Sequence, residues 1–95
     1  MGGILELADA GALFALPAKM DAGAAHRLKD SLLERRGRPL SIDASDVQQI
    51  STLCLQVLLS AQKSWRREGH DFVVRNPSPA FRDNVALLGA ETLIP

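Results

Sequence analysis

The sequence is poor in the residues that build disulfides, metal clusters and aromatic sites. Its 95 residues include one cysteine, one tryptophan, three phenylalanines and no tyrosine. A single cysteine excludes an internal disulfide, and it also excludes a zinc site built from several thiolates. With so few aromatic rings, the core has to be built mainly from Leu, Val, Ile and Ala, and little is left to stack a nucleotide base.

An excess of charge of one sign is also missing. Eleven Lys and Arg residues balance eleven Asp and Glu residues, so the composition does not favour nucleic acid or an anionic membrane as a partner. The longest apolar-rich stretch, residues 53–61, is interrupted by Gln56 and Ser60 and is too short to cross a bilayer. No stretch near the N-terminus has the pattern of a signal peptide. We therefore expect a single cytoplasmic domain over residues 1–95, without membrane insertion.

Hydrophobic periodicity divides the first half of the chain into strands and a helix. Residues 4–7 and 12–16 are short apolar runs on either side of an Asp/Gly cluster, which is typical of a β-hairpin. Helical spacing begins at Asp21, the expected N-cap, and continues to Gly37. Residues 39–43 alternate apolar and polar side chains, which predicts a strand.

The second half continues the alternation. Residues 47–50 are expected to be briefly extended, and the strongest helical pattern runs from residue 51 to the stop at residue 69. A strand follows at 72–74, then a helix with Ser78 as its cap and Pro79 in its first turn. Residues 92–94 are expected to form a short strand or extended tail. The predicted fold is α/β, a mixed, mostly parallel sheet of four to five strands with three to four helices packed mainly on one face.

Catalytic and metal-binding candidates are few. His26 and His70 are the only imidazoles, and neither belongs to a recognisable set of ligands, so we expect both to be exposed. Cys54 lies between two leucines and is expected to be a small buried apolar residue. Asp43 and Asp46 lack a third ligand, which favours a role in capping a turn. The sequence predicts no enzyme, no metal and no cofactor.

One stretch, residues 42–59, has an order that points to function. An acidic strand end is followed by a short loop and by two hydroxyl residues, Ser51 and Thr52, at a helix start. A hydroxyl at that position can accept hydrogen bonds from the free N–H groups of the first turn. A phosphate on either hydroxyl would be stabilised by the same N–H groups and by the helix dipole. Simple capping and phosphorylation both remain open.

The order of these motifs resembles the STAS domain family, named after sulfate transporters and anti-sigma factor antagonists. The family pattern contains a strand ending in D-x-S, a V-x-x-[IM] segment and D-[ST]-[ST]-G-L at a helix start. A glycine, a strand, an N-x-S-P-x-[FV] turn and a helix ending in L-x-G then follow. The matching segments here are Asp43 to Ser45, Val47 to Ile50, Gly69, Asn76 to Phe81 and Leu87 to Gly89.

The resemblance implies a phosphoacceptor at the start of the second helix. In the anti-sigma factor antagonists of the family, a kinase-like partner phosphorylates a Ser or Thr of this stretch, and phosphorylation abolishes binding. Thr52 matches the first hydroxyl of the stretch, and Ser51 is the second candidate. The chain departs from the pattern because Ser51 replaces the acidic residue, Leu53 the second hydroxyl and Cys54 the glycine.

The function implied by the resemblance is that of a non-enzymatic protein-binding module in bacterial signalling. Such an adaptor would dock on a kinase-like anti-sigma factor through the loop and helix start at residues 43–55, either constitutively or under a phosphorylation switch. The expected partner-binding residues are Asp43, Ser45, Asp46, Ser51, Thr52, Leu53 and Gln56.

Narrower resemblances imply other partners. Small STAS proteins of chemotaxis gene clusters share an I-D-A-S…C-x-Q-V-L…W…G-x-x-F pattern with residues 42–72, which implies an accessory protein of a chemotaxis histidine kinase. The STAS subunit of bacterial lipid-transport ATPases carries D-T-A-G-L, whose threonine matches Thr52. Binding of a small ligand, a nucleotide or a lipid, is the remaining alternative.

Overall fold

The structure, a computed structural model, describes residues 12–94, and within them it contains five strands and three α-helices. The strands are β1 (Ala12–Ala15), β2 (Lys19–Met20), β3 (Leu40–Asp43), β4 (Gln49–Ile50) and β5 (Phe72–Arg75). The helices are α1 (Ala24–Leu33), α2 (Thr52–Arg67) and α3 (Pro79–Leu88), followed by a 3-10 helix at Glu91–Leu93.

The strands form two parallel sheets. The larger sheet has the order β1-β3-β5, and the smaller one pairs β2 with β4. The predicted hairpin partner, residues 4–7, lies outside the described residues. Because the carboxyl ends of parallel strands share one edge of a sheet, Ala15, Asp43 and Arg75 are register neighbours at that edge. The α/β fold with a parallel sheet is therefore confirmed.

The core consists of one face of the larger sheet and the buried stripes of the helices. Alternate residues of β3 and β5 are buried, as the strand period requires. Helix α2 supplies the longest stripe, at intervals of three and four residues. Within residues 12–94, no helix has the length and apolar character needed to span a bilayer. The largest fully buried side chains include Trp65, Phe81, Leu16, Met20, Leu40, Ile42, Leu55 and Leu58.

Two predicted helix starts are confirmed. Ser51 is the N-cap of α2, and its side-chain oxygen accepts a hydrogen bond from the backbone N–H of Cys54. Ser78 is the N-cap of α3, and it accepts a hydrogen bond from the N–H of Phe81. Pro79 occupies the first turn of α3, where no backbone N–H is needed.

Helix α1 is shorter than the periodicity predicted. It spans ten residues, because its N-cap is Gly23 and not the expected Asp21, and because the chain turns away after Leu33 rather than continuing to Gly37. Arg35 lies just beyond the end of the helix: its Nη1 donates to the carbonyl oxygen of Ser31 at 2.6 Å, and its guanidinium lies 4.6 Å from the ring centre of Phe14. A cation on the last carbonyls is favourable at the negative end of a helix.

The predicted terminal strand is wrong, because Glu91–Leu93 forms a 3-10 helix. The backbone N–H of Leu93 bonds to the carbonyl of Ala90, which closes a tight turn that an extended chain could not make. The buried amide of Gln62 donates to the carbonyl oxygen of Thr92 at 2.7 Å and holds this turn against α2.

Candidate functional site

The two segments of the predicted site follow the carboxyl ends of two successive strands, β3 of the larger sheet and β4 of the smaller sheet. The loop after β3 begins at Ala44, whose N–H bonds to the carbonyl of Arg75 at 3.0 Å. The chain then forms β4 and enters α2 directly after Ser51, whose N–H bonds to the carbonyl of Met20 at 2.8 Å. Loops and helix starts at the carboxyl ends of parallel strands are the usual place for function in α/β folds.

Asp43 closes the first turn of this loop. Its Oδ1 accepts a hydrogen bond from the N–H of Ser45 at 3.0 Å, and this contact confirms the predicted turn-capping role. Hydrogen bonds from the backbone N–H and then from the hydroxyl of Ser45 lower the pKa of Asp43 below its ordinary value of 3.8, and desolvation opposes them. The charged form is thus favoured at the surface, beside the exposed side chains of Ser45 and Asp46.

The two hydroxyl residues at the start of α2 have different surroundings. Ser51 is half-buried, and its oxygen lies 3.2 Å from the backbone nitrogen of Cys54 as the cap acceptor. Thr52 is the first residue of α2, and its side chain is exposed. Leu53 and Gln56 are also exposed, Leu53 at 51%. Ser51 therefore acts in the helix cap, while Thr52 lies exposed beside it.

Cys54 joins the starts of two helices. Its side chain is fully buried, as expected, and its thiol lies 3.4 Å from the carbonyl oxygen of Asp21 as a hydrogen-bond donor. The carboxylate of Asp21 in turn accepts from the N–H of Ala24 at the start of α1, at 3.0 Å. The residue that replaces glycine in the family pattern is thus a packing contact between α1 and α2.

Sequence reasoning missed a groove between α1 and α2. It has a volume of about 380 Å³. Its buried lining includes Leu32 and Trp65, and its exposed lining includes Lys29, Leu33 and Leu53. The separate amphipathic patterns of the two helices predict buried faces, but the width left between them depends on packing that periodicity does not encode.

Within residues 12–94, the histidines are not grouped with other metal-ligating side chains. His26 lies 3.6 Å from Asp30, an acidic neighbour one helical turn away that the sequence reasoning overlooked, and both side chains are exposed. His70 is half-buried at the turn between α2 and β5. Among the described residues, no three His, Cys, Asp or Glu side chains are grouped as metal ligands would be.

Comparison with known proteins identifies the family to which the chain belongs. The family model described as "Mlab, STAS domain" matches residues 5–95. The chain therefore belongs to the STAS domain family, whose members are generally non-enzymatic modules that mediate protein–protein interactions. A search of curated proteins gave no significant match.

Proposed function

We propose that this chain is an adaptor that docks on a kinase-like signalling protein through one surface formed by the loop after β3 and the start of α2. The surface, called the docking surface below, consists of Asp43, Ser45, Asp46, Ser51, Thr52, Leu53 and Gln56. The observation that carries the proposal is the exposure of Thr52 and Leu53 side by side at the start of α2.

The composition of the docking surface suits a protein partner. Leu53, at 51% exposure, offers an apolar contact beside polar residues, and an interface commonly has an apolar centre with a polar rim. Asp43 and Asp46 add negative charge at the neighbouring loop. A partner with basic groups opposite this loop would gain complementary charge.

A phosphorylation switch is the second mechanism, and it places the phosphate on Thr52. The hydroxyl of Ser51 is engaged as the acceptor for Cys54 N–H, whereas Thr52 is an exposed residue. A phosphate on Thr52 would add about two negative charges in the first turn of α2. The positive end of the helix dipole would interact favourably with this charge. The same charge would disrupt an interface that had buried the neutral hydroxyl.

The experiment begins with capture of the partner on the immobilised chain, followed by titration of the purified partner. The wild type is compared with Thr52→Glu and with Thr92→Glu, which changes the chain's other threonine, also exposed. We expect Thr52→Glu to weaken binding at least about tenfold and Thr92→Glu to leave it unchanged within about twofold. Equal affinities of the two variants would refute the docking surface.

Incubation of the complex with Mg-ATP separates the switch from the constitutive adaptor. Under the switch, intact-mass analysis shows one added phosphoryl group that Thr52→Val removes and Ser51→Ala retains. Under the adaptor, the mass stays unchanged under conditions in which the partner binds.

A further inference from the structure

The groove between α1 and α2 has a length and a lining that suit the binding of a third helix. Its lining residues recur at three- and four-residue intervals on both helices, so each helix presents a continuous stripe to the groove. On α2 the stripe runs from Leu53 to Trp65, a span of about 18 Å at the helical rise of about 1.5 Å per residue. A partner helix of roughly 12 residues would match that span.

The lining is apolar in its depth and polar at its margins. Leu32, Ala61 and Trp65 are buried beneath it, while Leu33 and Leu53 are about half exposed, at 48% and 51%. Half-exposed leucines in one groove leave apolar area in contact with water, and covering it is favourable at about 25 cal/mol per Å². This pattern suits the apolar face of an amphipathic helix.

The charges at the groove indicate which polar side chains the partner helix would carry. Lys29 of α1 and Arg36 of the turn after α1 contribute two cations, and none of the lining residues, all of which belong to the described part of the chain, is acidic. Glu68 pairs with Arg36 and offsets part of its charge. Among residues 12–94 Lys29 makes no ion pair, so it is the stronger site for an incoming carboxylate.

We propose that the groove binds an acidic amphipathic helix of the partner protein, with leucine-like side chains over Leu33 and Leu53 and a carboxylate opposite Lys29. The inference rests on the proposed function in one respect, that the partner is a protein. Leu53 and Gln56 line both the groove and the docking surface, so one partner can cover both by continuing from the start of α2 along the two helices.

The test uses a displayed library of helix-forming peptides of roughly 14 residues, with leucine fixed on one face and Glu or Lys varied at the flanking positions. Trp65 is the only tryptophan and lines the groove, so its fluorescence reports binding. We expect selected peptides to carry Glu on the Lys29 side. Exchange of that Glu for Lys should weaken binding roughly tenfold.

Matched variants locate the binding. Lys29→Glu should weaken the Glu peptide roughly tenfold and strengthen the Lys peptide, whereas Arg27→Glu, the same charge change at an exposed residue of α1 outside the groove, should alter neither by more than about twofold. Leu33→Asn should weaken both peptides, and Leu87→Asn, at a leucine of α3 that is 86% exposed, should not.

Failure of this inference and failure of the docking surface give different results. No selected peptide, selected peptides without the Glu preference, or equal effects of Lys29→Glu and Arg27→Glu would overturn the groove inference while leaving the effect of Thr52→Glu on the captured partner intact. If the partner instead tolerates Thr52→Glu but is lost with Lys29→Glu, the groove inference stands and the docking surface does not.

Discussion

The side-chain oxygen of Ser51 accepts a hydrogen bond from the backbone N–H of Cys54 at 3.2 Å. This contact assigns the two neighbouring hydroxyls of the site to different tasks, because Ser51 satisfies a free donor of the first turn of α2 while Thr52 faces solvent. The hydroxyl that caps α2 and the exposed residue that we propose as a partner contact are therefore adjacent in the sequence.

Replacing Ser51 and Thr52 in turn should have different effects on the free energy of unfolding. Ser51→Ala removes the cap and should lower the free energy of unfolding by about 1 kcal/mol. Thr52→Ala removes an exposed side chain and should change it by no more than about 0.5 kcal/mol. Urea denaturation of both variants measures the difference. Equal losses of unfolding free energy would show that the Ser51 cap does not stabilise α2.

Ser78 should be more costly to replace than Ser51. Its hydroxyl is buried, accepts from the N–H of Phe81 at 3.1 Å and donates to the carbonyl oxygen of Val47 at 2.6 Å. Ser78→Ala leaves both partners without this hydroxyl, and we expect a loss of about 2 kcal/mol in unfolding free energy. Ser60→Ala, at an exposed serine of α2, is the control. A loss for Ser78→Ala no larger than that for Ser60→Ala would rule out the bridging role.

Two adjacent leucines of α1 provide a test of the core and the groove. Leu32 is 2% exposed and Leu33 is 48% exposed. Leu32→Ala should destabilise the fold by about 3 kcal/mol, because it opens a cavity in the core. Leu33→Ala should cost less than about 1 kcal/mol. Thermal and urea unfolding of the pair measure this, and comparable losses would mean that Leu33 is part of the core and not a free wall of the groove.

The hydrogen bonds from Ser45 should be detectable in the pKa of the Asp43 carboxyl. We expect NMR titration of the Asp43 carboxyl to give a pKa below 3.8, and Ser45→Ala to raise it partway, since the backbone N–H of residue 45 remains. Because the folded pKa is lower than the unfolded one, the stabilisation contributed by Asp43 is present above the unfolded value. It is lost as the pH falls through the folded pKa. A pKa at or above 3.8, or one insensitive to Ser45→Ala, would contradict the turn.

The elements that were predicted well are those fixed by local chemistry. Ser51, Ser78 and Pro79 mark helix starts because their preferences act within one turn. The 3-10 helix was missed because it depends on Gln62, thirty residues away, reaching the carbonyl of Thr92. A hydrogen bond of that sequence separation leaves no trace in a local hydrophobic pattern.

Part of the candidate site was likewise predicted from local sequence motifs, and part was not. The family motifs led to Thr52 and to the loop at Asp43, because both lie in segments that the motifs cover. The groove could not be predicted, since Lys29 and Leu53 become neighbours of one cavity only through the packing of α1 on α2. The sequence of each helix shows only the stripe that is buried in the core. The half-exposed residues that line the groove, such as Leu33 and Leu53, cannot be told from ordinary surface residues in the sequence.

The most direct measurement of the central claim is the affinity of the purified partner for Thr52→Glu and Thr92→Glu, titrated in parallel with the wild type. A negative charge in the first turn of a helix is favourable, so Thr52→Glu should retain the wild-type melting temperature, and lost binding will not reflect unfolding. The docking surface predicts a loss of at least about tenfold for Thr52→Glu alone. Wild-type affinity in a folded Thr52→Glu variant would contradict it.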